Sequence, residues 1–313
     1  MLNVFVTHIL PVFSIIGLGY VLMHRHFIGD AFIAAANRLV YYVAVPAMLF
    51  HEVARSSFSE NFHGGAVLSM LAGLALITAS ALLGARLSPK PTPFKATFVH
   101  STFHGNLGYM AYAIAFYALG DKFFAQTALL SSFLIIAQNF LAVCVFAYFR
   151  PGDASPAART GVDFTGTVKR ILTNPIIVSV MAGTGFSYLS ISLHPAVSQS
   201  LKILSGMALP LALLLIGTSL SFRALGKLLP TISVIGVLKL ILFPVLVYAL
   251  MRWGSVPRSF HMPVLILTAA PPATVTYIMA SELGGDTELA AAATSLLTLV
   301  SGCTYAVLLS VPW

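Results

Sequence analysis

The feature that most constrains this chain is that it repeats its own helix breakers. Pro11 and Gly19 recur 164 residues later as Pro175 and Gly183, and Arg38 with Pro46 recurs as Lys202 with Pro210. Gly120-Asp121 returns as Gly285-Asp286 at an offset of 165, so the register holds over more than 100 residues of each half. The recurring residues sit within long apolar runs. Each half holds five such runs, an odd number, so the second copy enters the membrane upside down relative to the first, as in the inverted repeats of many secondary transporters.

The composition requires a membrane. The chain is 58% hydrophobic and 8% charged, with a mean hydropathy of +0.92, outside the range of soluble domains. Runs of about 20 residues, enough to cross a ~30 Å hydrocarbon core, lie near 4–23, 31–52, 66–83, 95–119 and 123–149. The second set lies near 169–189, 199–222, 228–251, 263–283 and 289–311. The expectation is an all-α integral membrane protein of ten transmembrane helices in two inverted five-helix repeats, 1–150 and 168–313, joined by a cytoplasmic linker over 151–167.

The first apolar run lacks a basic leader and an A-x-A cleavage site, and it has a counterpart in the second half, so it reads as helix 1 and not as a signal peptide. Cys144 and Cys303 both fall inside predicted helices and read as small packing residues. The net charge of +8 is not a nucleic-acid signal, because the basic residues sit in short connections with no interleaved aromatics. With the N-terminus outside, ten of them (Arg25, Arg86, Lys90, Lys95, Arg150, Arg159, Lys169, Arg170, Arg223, Lys227) fall inside and four (Arg55, Lys122, Arg252, Arg258) outside. That asymmetry places both termini outside the cytoplasm, in a cell (inner or plasma) membrane. The connection between Arg150 and Arg170, with Pro151, Gly152, Pro156 and Gly161, is placed inside.

Two runs are interrupted at matching places. Helix 4 contains Phe103-His104-Gly105-Asn106-Leu107-Gly108, and helix 9 contains Ala270-Pro271-Pro272-Ala273-Thr274; Asn106 plus the offset of 165 lands on Pro271. Proline removes an N–H and clashes with the preceding turn, and glycine favours non-helical backbone. Irregular backbone at that depth is tolerated only where it is buried in protein or lines a polar cavity. Broken helices 4 and 9 are therefore expected to cross near the midplane. Their half-helix N-termini, each with roughly +0.5 of a charge, would face a site for an anion.

The same residues resemble the auxin efflux carrier family, which includes plant auxin exporters and bacterial carriers of malonate or malate. Ala44-Val45-Pro46 with Phe50-His51 is similar to that family's A-V-P-x-x-x-F-H segment. Asn106, Met110 and Gly120-Asp121 are similar to its N-T-x-x-M…G-D pattern, Ala270-Pro271-Pro272 to its second crossover, and Lys239 with Pro244 to its basic-residue-then-proline segment. The resemblance spans essentially the whole chain. It implies a scaffold of helices 1, 2, 6 and 7, a transport part of helices 3–5 and 8–10, an elevator-like motion and a homodimer. It further implies that Asn106 contacts a substrate carboxylate, that Gln138 hydrogen-bonds it, and that residues around Leu49 form the opposing wall. His104-Gly105 and Tyr112-Ala113 depart from the plant members, which carry a proline and an Ile-Pro pair there, and the long hydrophilic loop of those exporters is absent. Both departures point away from a plant-hormone substrate.

Other polar residues lie within or beside the apolar runs. Lys239 lies mid-helix, where a charge costs at least ~2.5–3.5 kcal/mol unless paired or hydrated; it either bonds helix-end carbonyls or a carboxylate of the transport part, or balances substrate charge. Arg38 and Lys202 are close enough to span starts to snorkel. His100 and His104 share a helix face; His104 either packs the cavity or couples protons. Two imidazoles without a third ligand type give no metal site. Glu282, Asp286 and Glu288 read as a solvated turn with helix capping. No nucleophile-base motif or phosphate loop is present, so neither enzyme activity nor a cofactor is expected.

The substrate-binding candidates are Gly105, Asn106, Gln138, Pro271, Pro272, Thr274 and Leu49, with Lys239, His104, Pro46 and Pro210 as structural or coupling residues. The expected function is secondary transport of small organic anions such as mono- or dicarboxylates, with the lipid bilayer as surroundings. The alternatives are a sodium-coupled carrier of the bile-acid type, or a membrane receptor on the same scaffold.

Overall fold

The apolar runs fold as helices. The computed structural model describes residues 2–149, 166, 169 and 172–311, and among these there is no strand. In chain order the helices are α1 (Leu2–His24), α2 (Asp30–Ala54) and α3 (Phe58–Leu87), α4 (Thr92–Phe103), α5 (Leu107–Leu119) and α6 (Asp121–Tyr148). The second half holds α7 (Pro175–Tyr188), α8 (Pro195–Thr218) and α9 (Leu225–Trp253), α10 (His261–Thr268), α11 (Val275–Leu283) and α12 (Thr287–Ser310). By length and composition, seven of them can cross a membrane unaided: α1, α2, α3, α6, α8, α9 and α12. The linker expected over 151–167 falls outside the described residues except for residue 166.

Capping residues set several helix starts. Asn174 Oδ1 accepts from the amides of Ile176 (2.9 Å) and Ile177 (3.4 Å), with Pro175 in the first turn, where its missing N–H has no consequence. His194 does the same for Ala196 at 3.3 Å, so α8 starts at Pro195 and not near residue 199. Asp286 Oδ1 caps Leu289 N at 2.8 Å, the role expected of it. Gly120 and Gly284 both have φ of +75°, a conformation that suits glycine. The conformational partner of Gly120 is thus Gly284, at the original offset of 164, and not Gly285.

Four prolines within the apolar runs mark wide or irregular turns and not sharp breaks. Pro11, Pro46 and Pro244 each follow a π-turn, at Phe5–Ile9, Val40–Ala44 and Val237–Leu242. Pro210 follows the irregular turn at Gly206-Met207. Each lacks the N–H that would close the preceding turn, and the ladder widens to accommodate the ring.

Glycines set the closest helix crossings. Gly19 brings α1 against the backbone of Leu214 in α8, and Gly217 of α8 packs on Ile16 and Tyr20 of α1; any side chain at either would collide with backbone. Gly183 brings α7 to Phe50 O, Val53 Cβ and Ala54 N of α2, at 3.1–3.2 Å from where a methyl would lie. Gly19 and Gly183, matched in sequence, therefore do the same job in two helix pairs, as small residues do where membrane helices approach closely. Cys144 and Cys303 are free thiols; Cys303 is exposed on α12 and does not pack as expected.

Candidate functional site at the paired helix breaks

The expected run 95–119 is split into α4 and α5 at His104-Gly105-Asn106, and the run 263–283 into α10 and α11 between Ala269 and Thr274. The two breaks meet. Asn106 N–H donates to Pro271 O at 2.8 Å and Ala273 N–H to His104 O at 3.1 Å, forming one antiparallel bridge between Gly105 and Pro272. Backbone groups freed by one break are thus satisfied by the other, the accounting that a low-dielectric interior demands.

Side chains complete the joint. Gln138 of α6, 1% exposed, accepts from Gly105 N–H at 3.3 Å and donates through Nε2 to Phe103 O at 2.9 Å. It therefore splints the first break from behind. Asn106, 5% exposed, caps α5 by accepting from Met110 N–H at 3.4 Å, which leaves its Nδ2 without a partner. Thr294 Oγ1 donates to Ala273 O at 3.4 Å across the second break. His100 Nε2 and His104 Nδ1 lie 2.8 Å apart, as the one-turn spacing predicts, and among the described residues no group of three metal-ligating side chains forms around them. Lys239 is fully buried, and its Nζ donates to Thr268 O at 3.1 Å, a helix-end carbonyl.

A cavity of about 870 Å³ extends from these breaks to the neighbouring ends of α1, α2, α7 and α8. His104, Gly105, Asn106, Gln138 and Thr274 line it, so five sequence-selected residues from three separate stretches share one wall. Pro271, Pro272, Lys239, Pro46 and Pro210 shape the helices without lining the cavity. Leu49 does not line it either: it is fully buried in α2, and the opposing wall is built from Tyr41, Tyr42, Leu215 and Ile216. Arg38, read from sequence as a snorkelling residue, lines the cavity together with Asp30. Asn37, Asn139 and Asn174, which are not among the sequence-based candidates, also line it. The pair Gln138-Asn139 inside an apolar helix was the signal available for Asn139.

Long apolar helices, two interrupted spans joined back to back and, beside the joint, a largely apolar cavity with a few convergent polar groups are the features of a membrane transport protein. The comparison with known families agrees: a family model described as "Membrane transport protein" matches residues 4–309, and the chain belongs to that family, the one that holds the auxin efflux carriers. It is a multi-pass membrane protein. Among its relatives is the "Putative malonate transporter" of Rhizobium meliloti (strain 1021), 28% identical over 298 residues, covering 95% of this chain and 92% of that protein.

Proposed function

We propose that this chain is a secondary transporter of small organic anions, mono- or dicarboxylates of about malonate's size, working by alternating access around the paired breaks. One observation carries the reading: a buried amide, Asn106, stands on the cavity wall at the start of α5 with its Nδ2 unpartnered. A carboxylate supplies the missing acceptor. Such a hydrogen bond to a charged group contributes roughly 1.5–3 kcal/mol, and the N-terminal ends of α5 and α11 add favourable potential. The name of the Rhizobium relative supports malonate as the first compound to try.

The architecture that goes with this reading counts α4–α5 and α10–α11 as one broken span each, giving ten spans in two inverted repeats. The glycine crossings that join α1 to α8 and α7 to α2 favour these four helices as the frame. The remaining helices, tied together through the breaks, would then move as the elevator, and the homodimer implied by the family resemblance would form through the frame. Because the cavity reaches the end of the bundle that the basic residues assign to the cytoplasm, this is the inward-facing state. A cysteine introduced at Ser155, in a background lacking Cys144 and Cys303, should resist an impermeant thiol reagent in intact cells; labelling there would reverse the orientation.

Thermal unfolding of the purified protein against a panel of carboxylates tests the substrate class. Malonate or a close homologue should raise Tm saturably, as mass action requires of a ligand bound only by the folded state. Stabilisation by neutral or cationic compounds alone would rule out the anion reading.

A further inference from the structure

Lys239 is a buried amine that the anion site leaves without a task. It is 0% exposed within α9, and among the described residues no carboxylate forms an ion pair with it. A charge at membrane depth is costly unless something replaces its hydration. Besides the bond to Thr268 O, its Nζ lies 4.7 Å from the centroid of the Phe243 ring and 3.1 Å from where a methyl on Gly105 would sit. Thr268 is the last residue of α10, and Gly105 lies two residues past the end of α4. The ammonium therefore sits where the C-terminal ends of both half-helices converge, and aligned peptide dipoles leave partial negative charge at such ends. The opposite ends, the starts of α5 and α11, border the cavity through Asn106 and Thr274, and the end of α4 reaches it through His104 and Gly105.

In broken-helix carriers, half-helix C-terminal ends and unwound carbonyls are where a coupling sodium ion is held. In this chain the Lys239 amine, tethered to α9, already occupies that position. We infer that Lys239 fills the cation seat of the crossover, so that this carrier binds its anion with no alkali-metal ion at the joint. The inference rests on the transport reading above and separates this chain from the sodium-coupled alternative. It also gives Gly105 a reason: a methyl there would press on Lys239 Nζ at 3.1 Å and on Ala270 Cβ at 3.2 Å.

Thermal unfolding of the full chain without any organic anion tests this, in choline, sodium and n-propylammonium chlorides at equal ionic strength. Wild type should unfold at the same temperature in sodium as in choline. Lys239→Ala should unfold several degrees lower in choline and regain at least half of that loss in n-propylammonium or sodium, either cation entering the vacated seat. A saturable, sodium-specific rise in wild-type Tm would overturn the inference, and so would a Lys239→Ala variant that loses no stability or that neither salt restores. Where Lys239→Ala does not fold, Lys239→Arg, which keeps the charge, should fold and stay indifferent to sodium; a sodium-stabilised Lys239→Arg counts against the seat. Should neither variant fold, the wild-type comparison of sodium with choline decides. Since no anion is present, a sodium response strikes this inference alone, whereas a wild type that binds no carboxylate strikes the transport reading.

Discussion

The two helix breaks contribute to one backbone bridge by different chemistry. The first, at His104-Gly105-Asn106, uses glycine for close approach and is held by side chains, with Gln138 bonding both Gly105 N–H and Phe103 O. The second, at Pro271-Pro272, uses residues that lack an N–H, so it has fewer donors to satisfy and offers Pro271 O as the acceptor for Asn106. Recognition is therefore expected to reside in the first break, which carries the unpartnered amide. The second serves as a stiff template. Two breaks that pair through one backbone bridge need not contribute equally to a site.

The largest effect should come from putting a charge into the first break. Asn106→Asp is nearly isosteric but turns a donor into an anion facing the substrate, so binding near neutral pH should fall by more than about 100-fold, beyond the roughly 10- to 100-fold expected for Asn106→Ala from the loss of one charged hydrogen bond. Calorimetric titration with malonate reads both. Partial recovery of Asn106→Asp in acid, as the new carboxyl protonates, would tie the loss to charge, and undiminished binding by both variants would remove the first break from the site. Next comes Gln138→Leu, which fills a similar volume and orphans Gly105 N–H and Phe103 O. Each orphaned group costs about 1–3 kcal/mol, so the variant should unfold earlier and bind about tenfold more weakly. An unchanged Tm would mean that the first break needs no splint.

The smallest effect should come from the second break. Thr274→Val keeps the shape and removes a hydroxyl from the cavity wall, and a neutral hydrogen bond contributes only about 0.5–1.5 kcal/mol, a factor of about three to ten. A loss matching that of Asn106→Ala would erase the contrast between the two breaks.

Much of this joint was legible in the sequence because breakers are local. Asn106 and Pro271, matched by offset alone, turn out to be hydrogen-bonded to each other, and Gly19 with Gly183, matched likewise, sit at equivalent helix crossings. His100 and His104 followed from helical spacing. What stayed hidden depended on which helices become neighbours. Leu49 is buried away from the cavity while Tyr41 and Tyr42, two turns earlier on the same helix, line it, since the face that α2 turns inward is fixed by its packing. The partner of Lys239 is a carbonyl on α10, and a carbonyl exists at every residue, so no side-chain pattern points to it. Arg38 reads as an interfacial residue because hydropathy does not distinguish a position at the lipid headgroups from one on a cavity wall near the end of a span.

The bridge between Gly105 and Pro272 also bears on how such carriers diversify. Its two hydrogen bonds, from Asn106 N–H to Pro271 O and from Ala273 N–H to His104 O, are made entirely by main chain. Those two bonds do not use the side chains at 104, 106 and 273, so exchanging these residues for others that keep their N–H leaves the bridge itself in place, while Gln138 goes on bracing the first break. New cargo preferences can then arise by small changes on a fastening that stays put, and an engineer wishing to redirect this protein would begin with those side chains and leave the fastening alone.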